Sequence, residues 1–146
     1  MNKFGIVRNC LLKEKEVLEK ALASARQTRD SAPSAMESHS DTTRSQAEKL
    51  VFALEEKTKN IESLISLIPQ DFKSTLTVVS LWSLIELKTN GEILKMILVP
   101  DGFGGREIDN IKLVSISTPL GNLIINKAVG DQITFNEKVY ALSSLR

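Results

Sequence analysis

Apolar side chains in the first half of the chain recur every three or four residues. One series runs Val7, Leu11, Leu18, Ala21 and Ala25, with Glu14 at the position that would complete it. A second series, Ala47, Val51, Leu54, Thr58, Ile61, Ile65 and Ile68, alternates fours and threes throughout. This is the a/d seam of a coiled coil. Between the two series, Asp30-Ser31-Ala32-Pro33-Ser34 contains a proline that cannot continue a helix. Ser34 and Glu37 then have the S-x-x-E spacing of a capping box, and Pro69 ends the second helix. The pattern predicts an antiparallel coiled-coil hairpin over residues 1–74 with its tip near 30–41. Extended backwards, the second series meets Arg44, Ser40 and Glu37, all polar, so the tip is expected to project rather than pack.

The second half changes period. Of seven glycines, six lie from Gly91 onward, among runs rich in Val, Ile and Leu. Residues 78–87 read as a strand, Asn90-Gly91 as a hairpin turn and residues 92–99 as the returning strand. A flexible loop, Asp101-Gly102-Phe103-Gly104-Gly105, leads to a third strand at 111–116. Thr118 as N-cap and Pro119 at the first helical position start a short helix ending near Ile125. Gly130-Asp131 turns into a strand at 132–135, and Asn136-Glu137 into a last strand at 139–145. The fold class is therefore α+β, with the second domain, residues 75–146, an antiparallel sheet of four or five strands plus one short helix.

Composition narrows the chemistry. At 42% hydrophobic, 25% charged and net charge +1, the chain suits a globular protein and gives no electrostatic case for wrapping nucleic acid or lying on a membrane. No apolar run is long enough to span a bilayer, so the expected setting is cytoplasmic. Cys10 is the one cysteine and His39 the one histidine, which excludes a disulfide framework and leaves no zinc pattern. Gly102-Phe103-Gly104-Gly105 lacks the Lys-Ser/Thr of a P-loop and reads as a connecting loop. No catalytic constellation is present, so no catalytic residues of its own are expected. The tip, by contrast, carries Asp30, Glu37 and Asp41, and the last two are four apart on one helix face. Carboxylates there can complete a Mg²⁺ held by another protein, or simply cap and solvate a helix start.

One stretch resembles a family signature. Ile116-Ser117-Thr118-Pro119-Leu120-Gly121, continuing to Ile125 and then Lys127-Ala128-Val129-Gly130-Asp131, is similar to the S-x-x-S-P-[LI]-[AG] and G-K-x-V-G-D pattern of bacterial Gre-type transcript-cleavage factors. The resemblance covers residues 76–145, and the order of a helical hairpin followed by an FKBP-like domain matches as well. It implies docking on RNA polymerase through Ser117, Pro119, Leu120, Gly121, Gly130 and Asp131, with the hairpin entering the secondary channel. It further implies that tip acids help hold a Mg²⁺ shared with the polymerase, whose own active site cleaves backtracked RNA, so that nascent RNA is met only indirectly and no cofactor is stably bound. The protein is expected to be a monomer. Pro33 and Met36 stand where the family carries its two tip acids, and the T-x-x-G-x-x-x-L opening is absent, as in the short, divergent Gre-like proteins. A cleavage stimulator and a channel-binding inhibitor both fit. An FKBP-like prolyl isomerase would need an aromatic pocket from Trp82, Phe103, Phe135 and Tyr140, and a coiled-coil adaptor would need an apolar stripe outside the seam.

Overall fold

A computed structural model of the chain describes residues 2–31, 40–70 and 75–146. The elements are helices α1 (Lys3–Ser31) and α2 (Ser40–Leu67), strands β1 (Leu84–Thr89), β2 (Glu92–Val99), β3 (Glu107–Ile108) and β4 (Ile111–Ser115), helix α3 (Pro119–Ile124), and strands β5 (Gln132–Phe135) and β6 (Lys138–Leu145). The chain packs into two compact units, Leu11–Leu67 and Met1–Cys10 with Ile68–Arg146. The first ten residues thus group with the sheet. The capping box at Ser34 and Glu37 and the bend at Pro33 lie outside the described residues.

The helical unit is an antiparallel hairpin. Ala47, Val51, Leu54, Thr58 and Ile61 are all buried along α2, as the 4-3 spacing requires. Thr58 sits in this seam without cost because its hydroxyl donates to the Leu54 carbonyl at 2.8 Å. On α1 the seam departs from the sequence reading. Ala21 is exposed and Leu22 is buried, packing with Ala25, Val51 and Leu54. Both residues satisfy a three-or-four spacing from Leu18 to Ala25. The larger side chain removes more apolar surface from water and takes the inward position.

The other unit is a six-stranded sheet in the order β3-β4-β2-β1-β6-β5 with α3 packed beside β4 and β5. It is mixed rather than wholly antiparallel: β2 and β4 run parallel, with Val99 opposite Ser115. A parallel pair needs a connection of about a dozen residues. The segment between them meets that need, because β3 folds back on β4 and lets β4 enter alongside β2. The two-residue turns at Asn90-Gly91, Asp109-Asn110 and Asn136-Glu137 all have positive φ at both positions, the geometry that matches strand twist. β2 is buried from Met96 to Val99, so both its faces are covered. Met96 and Leu98 join Ile85, Leu87, Ile124 and Leu142 in one core.

The strand expected at 78–87 begins only at Leu84. Upstream, Ser80 to Ser83 form a tight turn in which the Ser83 amide donates to the Ser80 carbonyl and the Ser80 amide to Ser83 Oγ. Val79 exchanges backbone bonds with Asn126 and Lys127 at the end of α3 instead of joining β1. Trp82 adopts φ 69°, held by its amide bond to the Leu98 carbonyl at 2.6 Å. Its ring packs at 6.0 Å from Phe4 and edge-on at 5.1 Å from Phe103.

The inward position of Leu22 is directly testable. Leu22→Ala should lower unfolding stability by about 2 kcal/mol or more, whereas Ala21→Gln should change it by less than about 0.5 kcal/mol. Urea denaturation of both variants measures the difference, and equal losses would show that Ala21 shares the seam.

Candidate functional site

The parallel pairing of β2 with β4 creates the most built polar feature of the sheet unit. With Val99 opposite Ser115, the residues two further along each chain, Asp101 and Ser117, come side by side. Asp101 Oδ1 accepts from Ser117 Oγ at 2.6 Å and from Ser115 Oγ. The two serine hydroxyls are themselves 3.2 Å apart. Hydrogen bonds from Ser115, then Ser117, hold the Asp101 carboxyl below the ordinary carboxylate range, against a smaller desolvation effect in the opposite direction.

Two glycines press on the same serine. A Cβ on Gly121 would lie 2.2 Å from the Ser115 carbonyl oxygen, and one on Gly104 would lie 2.8 Å from the Ser115 Cβ. No side chain fits at either place. The loop read from sequence as a plain connector is therefore packed onto β4, and Arg106 ties it further by donating from Nη1 to the Gly102 carbonyl at 2.6 Å.

Helix α3 grows out of this cluster. The Thr118 hydroxyl donates to the Ser115 carbonyl at 2.7 Å and accepts from the Gly121 amide at 3.0 Å, so it caps the helix as the sequence predicts. Pro119 at the first helical position sacrifices no hydrogen bond. The result is an exposed edge in which Ser117 and Pro119 face solvent and Leu120 rests against the core behind them. Gly130 and Asp131 form a separate turn at the start of β5. Gly130 has φ 96°, and the Asp131 carboxylate accepts from the Ala128 amide at 2.8 Å. Of the six residues that the resemblance selects for docking, four thus cluster at the start of α3 and two brace this turn. The sequence reading missed Asp101, Ser115 and Gly104. The available signal was the Asp and Ser that follow two apolar strands, legible only once those strands are known to run parallel.

The tip acids fare differently. Glu37 lies outside the described residues, and Asp41 falls in the first turn of α2. Asp30 is the remaining candidate, and its carboxylate is paired with Arg29 Nε at 3.0 Å. Among the described residues no three His, Cys, Asp or Glu side chains converge on a point. No helix among the described residues is long and apolar enough to cross a membrane.

Asp101 gives the site a pH signature. Its folded-state pKa lies below its unfolded value, so its contribution to stability is complete above the ordinary carboxylate range and disappears as pH falls through the folded value. Asp101→Asn should therefore be less stable than the wild type at pH 7, and the gap should close in strongly acidic solution. A gap that stays constant from neutral to acidic pH would show that the carboxylate charge is not what holds the serines.

No family model matches the chain, and no curated protein matches it. Among solved structures, similar chains include the GreA factor homolog 1 (Gfh1) protein of Thermus thermophilus, at 17% identity over 95% of this chain and 94% of that one, with TM-score 0.43. Another is the Gfh1 of Thermus aquaticus, at 20% identity over 100% of this chain and 96% of that one, also with TM-score 0.43.

Proposed function

We propose that this chain is a Gre-type regulator of bacterial RNA polymerase that docks through the edge carried by Ser117, Pro119 and the start of α3. The observation that supports this reading is the Asp101 clamp. The residues of the Gre-like signature coincide with a rigid, exposed edge, built by a carboxylate, two hydroxyls and two close-packed glycines rather than by hydrophobic packing alone. A docking surface works best when its polar groups are fixed before the partner arrives, because less rotamer entropy is lost on binding. Ser117 meets that condition, since its hydroxyl is already oriented by Asp101.

In this reading the chain carries no chemistry of its own, and the helical hairpin is the part that reaches the polymerase's secondary channel. Glu37 and Asp41 are the carboxylates it could offer there. Pro33 and Met36, at the positions where the Gre pattern has acids, favour a second version in which the protein occupies the channel without stimulating cleavage.

The test uses the full chain with bacterial core RNA polymerase. The wild type should bind, and Asp101→Ala combined with Ser117→Ala should weaken binding at least about tenfold while helicity is retained. A wild-type chain that does not bind the polymerase contradicts the proposal. In a transcript-cleavage assay on backtracked complexes, loss of activity in Glu37→Gln with Asp41→Asn identifies a stimulator. Binding without any wild-type cleavage activity identifies the inhibitor.

A further inference from the structure

The backbone at Trp82 is unusual for the side chain it carries. Its φ of 69° lies in the left-handed region, which a bulky residue occupies only where surrounding contacts offset the strain. Glycine or asparagine enters that conformation more easily. The main-chain bonds here require no particular side chain: the Trp82 amide donates to the Leu98 carbonyl at 2.6 Å, and the Leu98 amide to the Ser83 carbonyl at 3.1 Å. What distinguishes tryptophan at this position is its ring.

That ring has two aromatic neighbours. Phe4 lies with its centroid at 6.0 Å, and Phe103 meets the indole edge-on at 5.1 Å. Phe4 is buried in the first turn of α1, within the stretch Met1–Cys10 that groups with the sheet unit. Phe103 is the one buried side chain of the loop 101–105, whose other members are Asp101 and three glycines. Gly102 at φ 95° and Gly105 at φ 79° give the loop conformations closed to most residues and bring no side chain to hold it. The seat of Phe103 against Trp82 is thus the loop's hydrophobic anchor.

Asp101 stands two residues before that anchor. Strand β2 ends at Val99, so the parallel register brings the Asp101 main chain near Ser117 without fixing its carboxylate. The path of the loop from Asp101 to Phe103 decides where Oδ1 stands relative to the Ser115 and Ser117 hydroxyls. Gly104, next along the chain, backs onto Ser115, so a loop displaced at Phe103 would lose that close approach as well.

We propose that Trp82 is a positioning residue for the docking edge: its ring, in contact with Phe4 and Phe103, fixes the 101–105 loop so that the Asp101 carboxylate holds the Ser115 and Ser117 hydroxyls. The bearing of Trp82 on docking rests on the proposed function; its hold on Asp101 does not.

Trp82→Gly separates backbone from ring, because glycine relieves the positive φ and removes the aromatic contacts, whereas Trp82→Phe keeps both a ring and the strain. In the full chain, a carbon-13 NMR titration should show the Asp101 carboxyl rising from its depressed pKa toward the ordinary carboxylate range in Trp82→Gly and remaining depressed in Trp82→Phe. Circular dichroism and the sheet amide shifts report the fold of each variant. Trp82→Asn, which also tolerates positive φ, repeats the ring-free measurement if the glycine variant unfolds. An Asp101 titration in the folded ring-free variant equal to the wild type, or equal release by phenylalanine, overturns the proposal. Binding to bacterial core RNA polymerase should fall about fivefold or more in the ring-free variant and recover in Trp82→Phe. A raised Asp101 pKa with unchanged polymerase binding upholds the positioning role and contradicts docking through this edge.

Discussion

The parallel pairing of β2 with β4 is the constraint on which the sheet unit depends. Among the described strands it is the one parallel pairing, beside three hairpins and the long-range antiparallel pair of β1 with β6, and it fixes Val99 beside Ser115. From that register the rest follows by counting. Asp101 must fall beside Ser117, Gly104 must pass close over Ser115, and the chain leaving β4 must turn at Thr118 into α3. Each of these contacts closes over Ser115, which leaves no room for a larger residue at Gly104 or Gly121. A slip of one residue would reverse the faces of the apolar run Met96 to Val99 and separate the acid from both serines. Burial of β2 on both faces thus sets the geometry of the exposed edge.

The hairpin obeys a different economy. Two helices alone bury one narrow seam, so much of their surface remains wet. On one flank that surface is occupied by ion pairs between the helices, each worth little because the partners remain partly open to solvent. Their value lies in what they exclude: a partner on that flank would have to desolvate matched charges. The other flank, around Ala21, Ser24, Thr28, Gln46 and Leu50, carries no such pairs in its lining.

Local signals in the sequence carried much of the architecture. Asn90-Gly91 and Asn136-Glu137 mark two-residue turns, Thr118-Pro119 marks a helix start, and the 4-3 run from Ala47 to Ile61 is the buried seam. The misreadings arise where two local solutions compete. Ala21 and Leu22 both fit the helical spacing, and only packing against Val51 and Leu54 selects Leu22. Residues 78–83 are as β-prone as those that follow, yet the serine turn and the bond from Val79 to Lys127 take them out of the strand. The Asp101 cluster was illegible because its parts are 14 and 16 residues apart and meet only through a parallel register. Short-range periodicity contains no information about that pairing.

The sheet unit offers a preorganised polar edge, and the hairpin a two-helix seam closed on one flank by ion pairs. Under the proposed function, the sheet unit anchors the chain and the hairpin acts. The central claim is that the Ser117–Pro119 edge is the anchor. A photoreactive amino acid at Pro119, which is exposed and donates no backbone hydrogen bond, tests it most directly, with the same group at exposed Val139 on β6 as control. On mixing the full chain with bacterial RNA polymerase, irradiation should crosslink the polymerase from position 119 and not from 139. No crosslink from 119, or equal labelling from both positions, would contradict the account.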